Sequence, residues 1–161
     1  MTIKAGDRLP DANLLRVGDN GPEQVPTADL MQGRVALFAV PGAFTGTCTN
    51  AHMPSFVRTA QSFRDKGVAR VVCVTVNDPF VAAAWDKQTG ASDAGIEVLA
   101  DADGSFTRAM GQSFDAPPAG LLGRSKRYAL LASDGRVDVI NVEDGPGQCS
   151  VSAGESLLEQ V

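Results

Sequence analysis

"RVALFAVPGAFTGTCTNAHMPSF", residues 34–56, decides the fold. Its first seven residues form an apolar run behind Arg34 that reads as a buried strand, ended by Pro41-Gly42. A helix is expected next, because Met53, Phe56, Val57, Ala60 and Phe63 recur at helical spacing and make one apolar face. Pro54 lies inside that pattern and is expected to kink the helix or to end an irregular first turn. The junction between strand and helix carries Cys48, three threonines and His52, the only histidine in the chain.

Working outward, residues 1–33 are rich in turn formers. "GDNGPEQ" at 18–24 reads as a loop, and a short helix is expected near 27–32 with Thr27 as its cap. Downstream, "VARVVCVTV" (68–76) is a second apolar strand. "NDPFVAAAWDKQ" is a helix capped by Asn77 or Asp78, with Trp85 facing the core. "IEVLAD" is a third strand and "SFTRAMGQ" a short helix. "RYALLA" and "RVDVINV" flank Ser133-Asp134-Gly135, a strong hairpin signal. "SAGESLLEQV" closes the chain as a helix, with Ser150 or Ser152 near its start. The order β-α-β-α-β-α-β-β-α implies an α/β mixed central sheet with helices on both faces, a thioredoxin-like layout. A flavodoxin-like sheet is the competing topology, but it would not end in a hairpin and one helix.

The 161 residues suit one domain spanning 1–161. At 43% hydrophobic and 20% charged the chain is globular, and its net charge of −5, with scattered Lys and Arg, offers no basic footprint for nucleic acid or an anionic membrane. The apolar run "VALFAV" is too short to span a bilayer, and "MTIKAGDRLPDANLL" shows no signal-peptide pattern. The expectation is a soluble, cytoplasmic protein. Cys48, Cys73 and Cys149 form an odd, widely spaced set and not a disulfide framework.

The chemistry concentrates on Cys48. A first helical turn presents unpaired N–H groups and the positive end of the helix dipole, and both favour a thiolate. Thr45 and Thr47 add hydroxyls that donate to sulfur or orient an incoming O–H group. His52, four residues on, would share a face with Cys48 on a regular helix. It is either a general base or a hydrogen-bonding structural residue, and an anion-stabilised thiolate needs no base.

Pro41-x3-Thr45-x2-Cys48 matches the active-site signature of peroxiredoxins. "LFAVPGAFTGTCTNAHMPSF", "VVCVTVNDPFVAAAW", "LADADGSFTRAMG", "GRSKRYALLASDG" and "INVE" resemble, in the same order, the peroxiredoxin-V class, called type II in plants. The resemblance covers nearly the whole chain. It implies a thioredoxin fold and reduction of hydrogen peroxide and organic hydroperoxides, with no metal or organic cofactor. It implies Cys48 as the peroxidatic cysteine, Thr45 as a hydrogen-bonding partner of peroxide and thiolate, and Pro41 as a shield over the sulfur. Arg127 is implied to stabilise the thiolate and polarise the peroxide, while Arg124 and Lys126 are read as solvated. The Cys48 and Gly46 N–H groups are implied to face the peroxide oxygens, although many relatives carry proline where this chain has Gly46. Cys149 stands where animal-type relatives carry a resolving cysteine. Cys73 matches a second cysteine of plant and bacterial relatives, whose sulfenic acid is often reduced through glutathione or glutaredoxin; otherwise thioredoxin is the reductant. The class also implies a homodimer, with Phe44 near the interface.

Other chemistries have weaker support. A zinc site lacks any paired C-x2-C. A dithiol oxidoreductase needs a second cysteine three positions from Cys48, where Thr45 and Ala51 stand. A hydrolase would require His52 to act as base on Cys48.

Overall fold

A computed structural model describes residues 2–161. In chain order the elements are β1 (Asn13–Gly18), β2 (Gly21–Pro26), α1 (Thr27–Leu30), β3 (Arg34–Val40), a π-helical turn (Cys48–His52), α2 (Met53–Asp65), β4 (Arg70–Thr75), α3 (Pro79–Thr89), β5 (Ile96–Ala100), α4 (Ser105–Ala109), β6 (Ser113–Ala116), β7 (Leu121–Ser125), β8 (Tyr128–Ser133), β9 (Arg136–Val142) and α5 (Gly154–Leu158). Seven strands form one sheet in the order β2-β1-β5-β4-β3-β8-β9, and β6 with β7 make a separate two-stranded ribbon. The pairs β3–β4 and β4–β5 are parallel, whereas β3–β8 and β8–β9 are antiparallel.

Strand alternation sorts the core onto both faces of this sheet. Ala36, Phe38 and Val40 of β3, with Cys73 of β4 and Leu131 of β8, face Phe56 and Phe63 of α2, Trp85 of α3 and Leu157 of α5. Val35, Leu37 and Ala39 face the other way, toward Leu30 of α1, Phe106 of α4 and Tyr128. Helices therefore cover both faces, and the fold is thioredoxin-like. The expected apolar face of α2 is present: Met53, Phe56, Ala60 and Phe63 are buried and Val57 packs against them. Phe56 stacks on Phe38 with centroids 3.9 Å apart, which locks α2 to the centre of the sheet.

Several local expectations are corrected. The stretch 18–24 is not a loop: β1 and β2 pair as a hairpin about a two-residue turn at Asp19-Asn20. Only β2 lies at the sheet edge, with four of its six residues exposed, and in β1, between β2 and β5, only Leu14 is fully buried; neither strand shows the alternation that marks a half-buried strand, and the prolines of β2 suit its edge position. Thr27 does not cap α1; its hydroxyl donates to Pro10 O and accepts from Ala12 N–H, tying the entering chain down. Asp78, not Asn77, caps α3 by accepting from Val81 N–H at 2.9 Å. The closing helix α5 starts at Gly154 with Ala153 as its N-cap, so Ser152 does lie near its start. Pro54 sits in the first turn of α2, just after the π-helical turn, where its missing N–H costs little. The Asp134-Gly135 hairpin is present, with both residues at positive φ as a type I′ turn requires. Among the described residues, no helix is long and apolar enough to cross a membrane.

Candidate active site

The topology makes the site. β3 pairs antiparallel with β8, and Ala39 lies opposite Tyr128. The C-terminal end of β3, which leads to Cys48, therefore meets the start of β8, which follows Arg127. Residues 79 apart in sequence are brought side by side.

Cys48 opens the π-helical turn that continues into α2, and it is fully buried. The wider turn is closed by Met53 N–H donating to Cys48 O. Trp85, buried on α3, donates from Nε1 to Thr49 Oγ1 at 3.0 Å and so pins this turn from the side. The loop ahead of it is also held. Ala43 N–H donates to Asn77 Oδ1 at 2.9 Å, and Thr75 Oγ1 reaches the same oxygen. Phe44 has φ +65°, a left-handed conformation that costs a bulky residue about 1–2 kcal/mol, and the residue is 47% exposed. Thr45 Oγ1 donates to Gly42 O at 2.8 Å, which leaves its lone pairs free to accept. Pro41 is buried, and its carbonyl accepts from Arg124 Nη1 at 3.3 Å. Arg124 is thus half-buried against the site, contrary to the solvated reading. Gly46 is exposed, has no positive φ, and leaves open space where a Cβ would stand.

Arg127 is 1% exposed. Its Nη2 donates to Cys48 Sγ at 3.0 Å and to Pro146 O at 2.9 Å, and its Nε donates to Pro146 O at 3.3 Å. Its Nη1 lies 3.0 Å from His52 Nδ1. The other imidazole nitrogen, Nε2, lies 3.0 Å from Ser152 O. A carbonyl only accepts, so Nε2 carries the proton, and Nδ1 accepts from the guanidinium. Burial, and then the Arg127 charge, push the His52 pKa down to about 3, so the ring is neutral. With both nitrogens committed elsewhere, His52 does not serve Cys48 as a base; it holds the arginine. This detail was hidden in sequence because the ring's partner is a backbone carbonyl 100 residues away.

The other thiols differ. Cys73 is fully buried in β4, in the same apolar cluster as Cys48, and burial pushes its thiol well above the ordinary range. Cys149 is half-buried in the loop after β9; burial raises its pKa, against the opposing pull of Arg127. All three cysteines are free thiols. Among the described residues, no three His, Cys, Asp or Glu side chains cluster to hold a metal ion.

A buried thiol at a strand-to-helix junction, touched by a fixed guanidinium on a thioredoxin-like sheet, defines a thiol-based redox enzyme. The redoxin family model matches residues 4–158. The chain is 46% identical over 163 residues to the chloroplastic peroxiredoxin-2E-2 of Oryza sativa subsp. japonica, covering 98% of this chain and 72% of the relative. It superposes with a TM-score of 0.90 on reduced Prx3 from Vibrio vulnificus in complex with H2O2, at 40% identity and covering 99% of both chains. Peroxiredoxin 5 from Alvinella pompejana gives a TM-score of 0.84 at 33% identity, covering 98% of this chain and 96% of that one. The chain belongs to the peroxiredoxins and is a thiol peroxidase.

Proposed function

We propose that Cys48 is the peroxidatic nucleophile and that Arg127, Thr45 and Pro41 complete its pocket. The observation that carries this reading is the 3.0 Å contact between Arg127 Nη2 and Cys48 Sγ. The sulfur attacks the near oxygen of R–O–OH and the O–O bond breaks. Sulfur is oxidised to the sulfenic acid, and RO⁻ leaves to take a proton as ROH or water. Negative charge moves from sulfur to the leaving oxygen during this step. Arg127, already oriented by Pro146 and His52, follows that charge without reorganising. Thr45, its proton spent on Gly42 O, accepts from the peroxide O–H, and the Cys48 and Gly46 N–H groups face the peroxide oxygens. The V. vulnificus relative, crystallised in reduced form with H2O2, supports hydrogen peroxide as a substrate, alongside organic hydroperoxides.

In this reading Cys149 resolves the sulfenic acid. Its thiol displaces water from Cys48–SOH, forming a disulfide that thioredoxin then reduces. Cys48 is buried beneath Arg127 and Pro146, so the loop holding Cys149 must open first. The alternative is direct reduction by glutathione or glutaredoxin, with Cys73 or no cysteine as partner; full burial of Cys73 speaks against it as the partner. Mass spectrometry after one equivalent of peroxide is the test. A Cys48–Cys149 disulfide is expected, and a persistent Cys48 sulfenic acid sinks the resolving role. We place the protein in the cytoplasm, where three free thiols suit the reducing conditions. We read residues 1–161 as one domain, and the exposed, strained Phe44 as part of a homodimer interface. A dimer by light scattering that Phe44→Glu converts to monomer supports this; a monomeric parent refutes it.

A further inference from the structure

The reacting groups leave one buried acid unexplained. Glu143 is 6% exposed and directly follows β9. Its backbone N–H donates to Arg127 O at 2.9 Å, so the two residues face each other where β8 begins and β9 ends. Its side chain turns into the following loop, and a single oxygen, Oε1, accepts from Ser150 N–H at 2.8 Å, Ser152 N–H at 3.1 Å and Ser150 Oγ at 3.3 Å. These bonds close residues 143–152 into a tight strap. The strap supplies both carbonyls on which the guanidinium depends. Pro146 O accepts directly from Nε and Nη2, and Ser152 O fixes His52, which accepts from Nη1.

We propose that Glu143 is a positioning residue for the peroxidase reaction, acting through the strap to hold Arg127 on Cys48; this rests on the assignment of Cys48 and Arg127 made above. Buried carboxylates persist where hydrogen bonds satisfy them, and three donors on one oxygen make this one a local organiser. Removing it releases the Ser150 and Ser152 amides and lets Pro146 and Ser152 drift. A displacement of about 1 Å at a reacting group can cost on the order of a hundredfold in rate. Gln keeps an oxygen at the Oε1 position, so Glu143→Gln retains the acceptor and Glu143→Ala does not.

The test is a double-mutant cycle on the single-turnover rate of peroxide consumption by the fully reduced protein. Glu143→Ala is expected to slow that rate at least about tenfold in the parent and less than about threefold in an Arg127→Ala background. Glu143→Gln, which keeps the acceptor, should stay within about threefold of the parent and so separates loss of the acceptor from loss of the charge. If Glu143→Ala does not fold, Glu143→Ser, a small polar residue whose hydroxyl is too short to reach the Ser150 and Ser152 amides, takes its place in the cycle with the same expected factors. Equal factors in both backgrounds, or no slowing by any Glu143 variant, overturn the proposal. A Cys48→Ser protein run alongside separates the two readings: if it consumes peroxide at the parent rate, the site assignment itself fails, whatever Glu143 does.

Discussion

The two walls of the pocket are built in opposite ways. One wall, residues 41–52, is a continuous turn whose proline, threonines and cysteine are neighbours in sequence. The other joins Arg127 to carbonyls of Pro146 and Ser152, and those carbonyls lie on a loop that a buried glutamate closes. On the assignment proposed above, the first wall supplies the reacting atom and the second supplies the field around it. Reactivity here is therefore divided between a local motif and a distant scaffold, and each half is separately open to attack.

The largest expected effect is on the first wall. Cys48→Ser should lower peroxide consumption by roughly a thousandfold or more, as loss of a nucleophile does; residual activity near the parent level would mean that the local wall carries no chemistry. The second wall is tested by Arg127→Lys, which keeps the charge but loses the planar fork. One ammonium cannot reach Sγ, His52 and Pro146 O in the observed geometry, so single-turnover oxidation should fall by about a hundredfold. A loss below about threefold would show that charge alone suffices and that the scaffold's geometry is idle.

His52 joins the walls, and its titration is the next effect in size. The unfolded chain binds a proton at His52 near pH 6.5, while the folded chain refuses it down to about 3. Between those values the unfolded state holds more protons, so stability falls as pH falls, by up to about 1.4 kcal/mol per pH unit. Urea midpoints from pH 7 to 4 should show this decline in the parent and a flatter profile in His52→Gln. Equal slopes would mean that the ring is not held neutral between the walls. The smallest effect concerns Gly46, on the exposed lip of the first wall. With open space and ordinary φ, Gly46→Ala should stabilise by about 0.4–1 kcal/mol through the unfolded chain, visible as a melting temperature a few degrees higher, with activity within about twofold. A loss of activity would show that this lip must flex.

The same division governs what could be read from sequence. Pro41, Thr45 and Cys48 were legible because one strand, one break and one helix pattern fix them within a few residues. Arg127 came only from family resemblance, since a basic residue ahead of a strand is usually solvated. The local signal that finds it is pairing: once "YALLA" is laid antiparallel to "VALFAV", Arg127 must fall beside the end of β3. Pro146 and Ser152 act through backbone carbonyls, which have no residue signature. His52 was visible, but its partners were not, so its role could not be separated from that of a base. The β1–β2 hairpin and the β6–β7 ribbon escaped for a different reason. Their strands are short and carry few buried residues, so no buried face imprints a period on them.

The pairing of β3 with β8 also sets a clock. Cys48 precedes Arg127 by 79 residues. At about 5–20 residues per second, a ribosome needs roughly 4–16 s to travel from one codon to the other. During that interval the nascent chain carries a thiol with no guanidinium, no strap and no β8 to complete its sheet. On the assignment proposed above, the complete site assembles only once Arg127 and the strap have been made and docked, so a stalled or truncated product holds the nucleophile without its guanidinium.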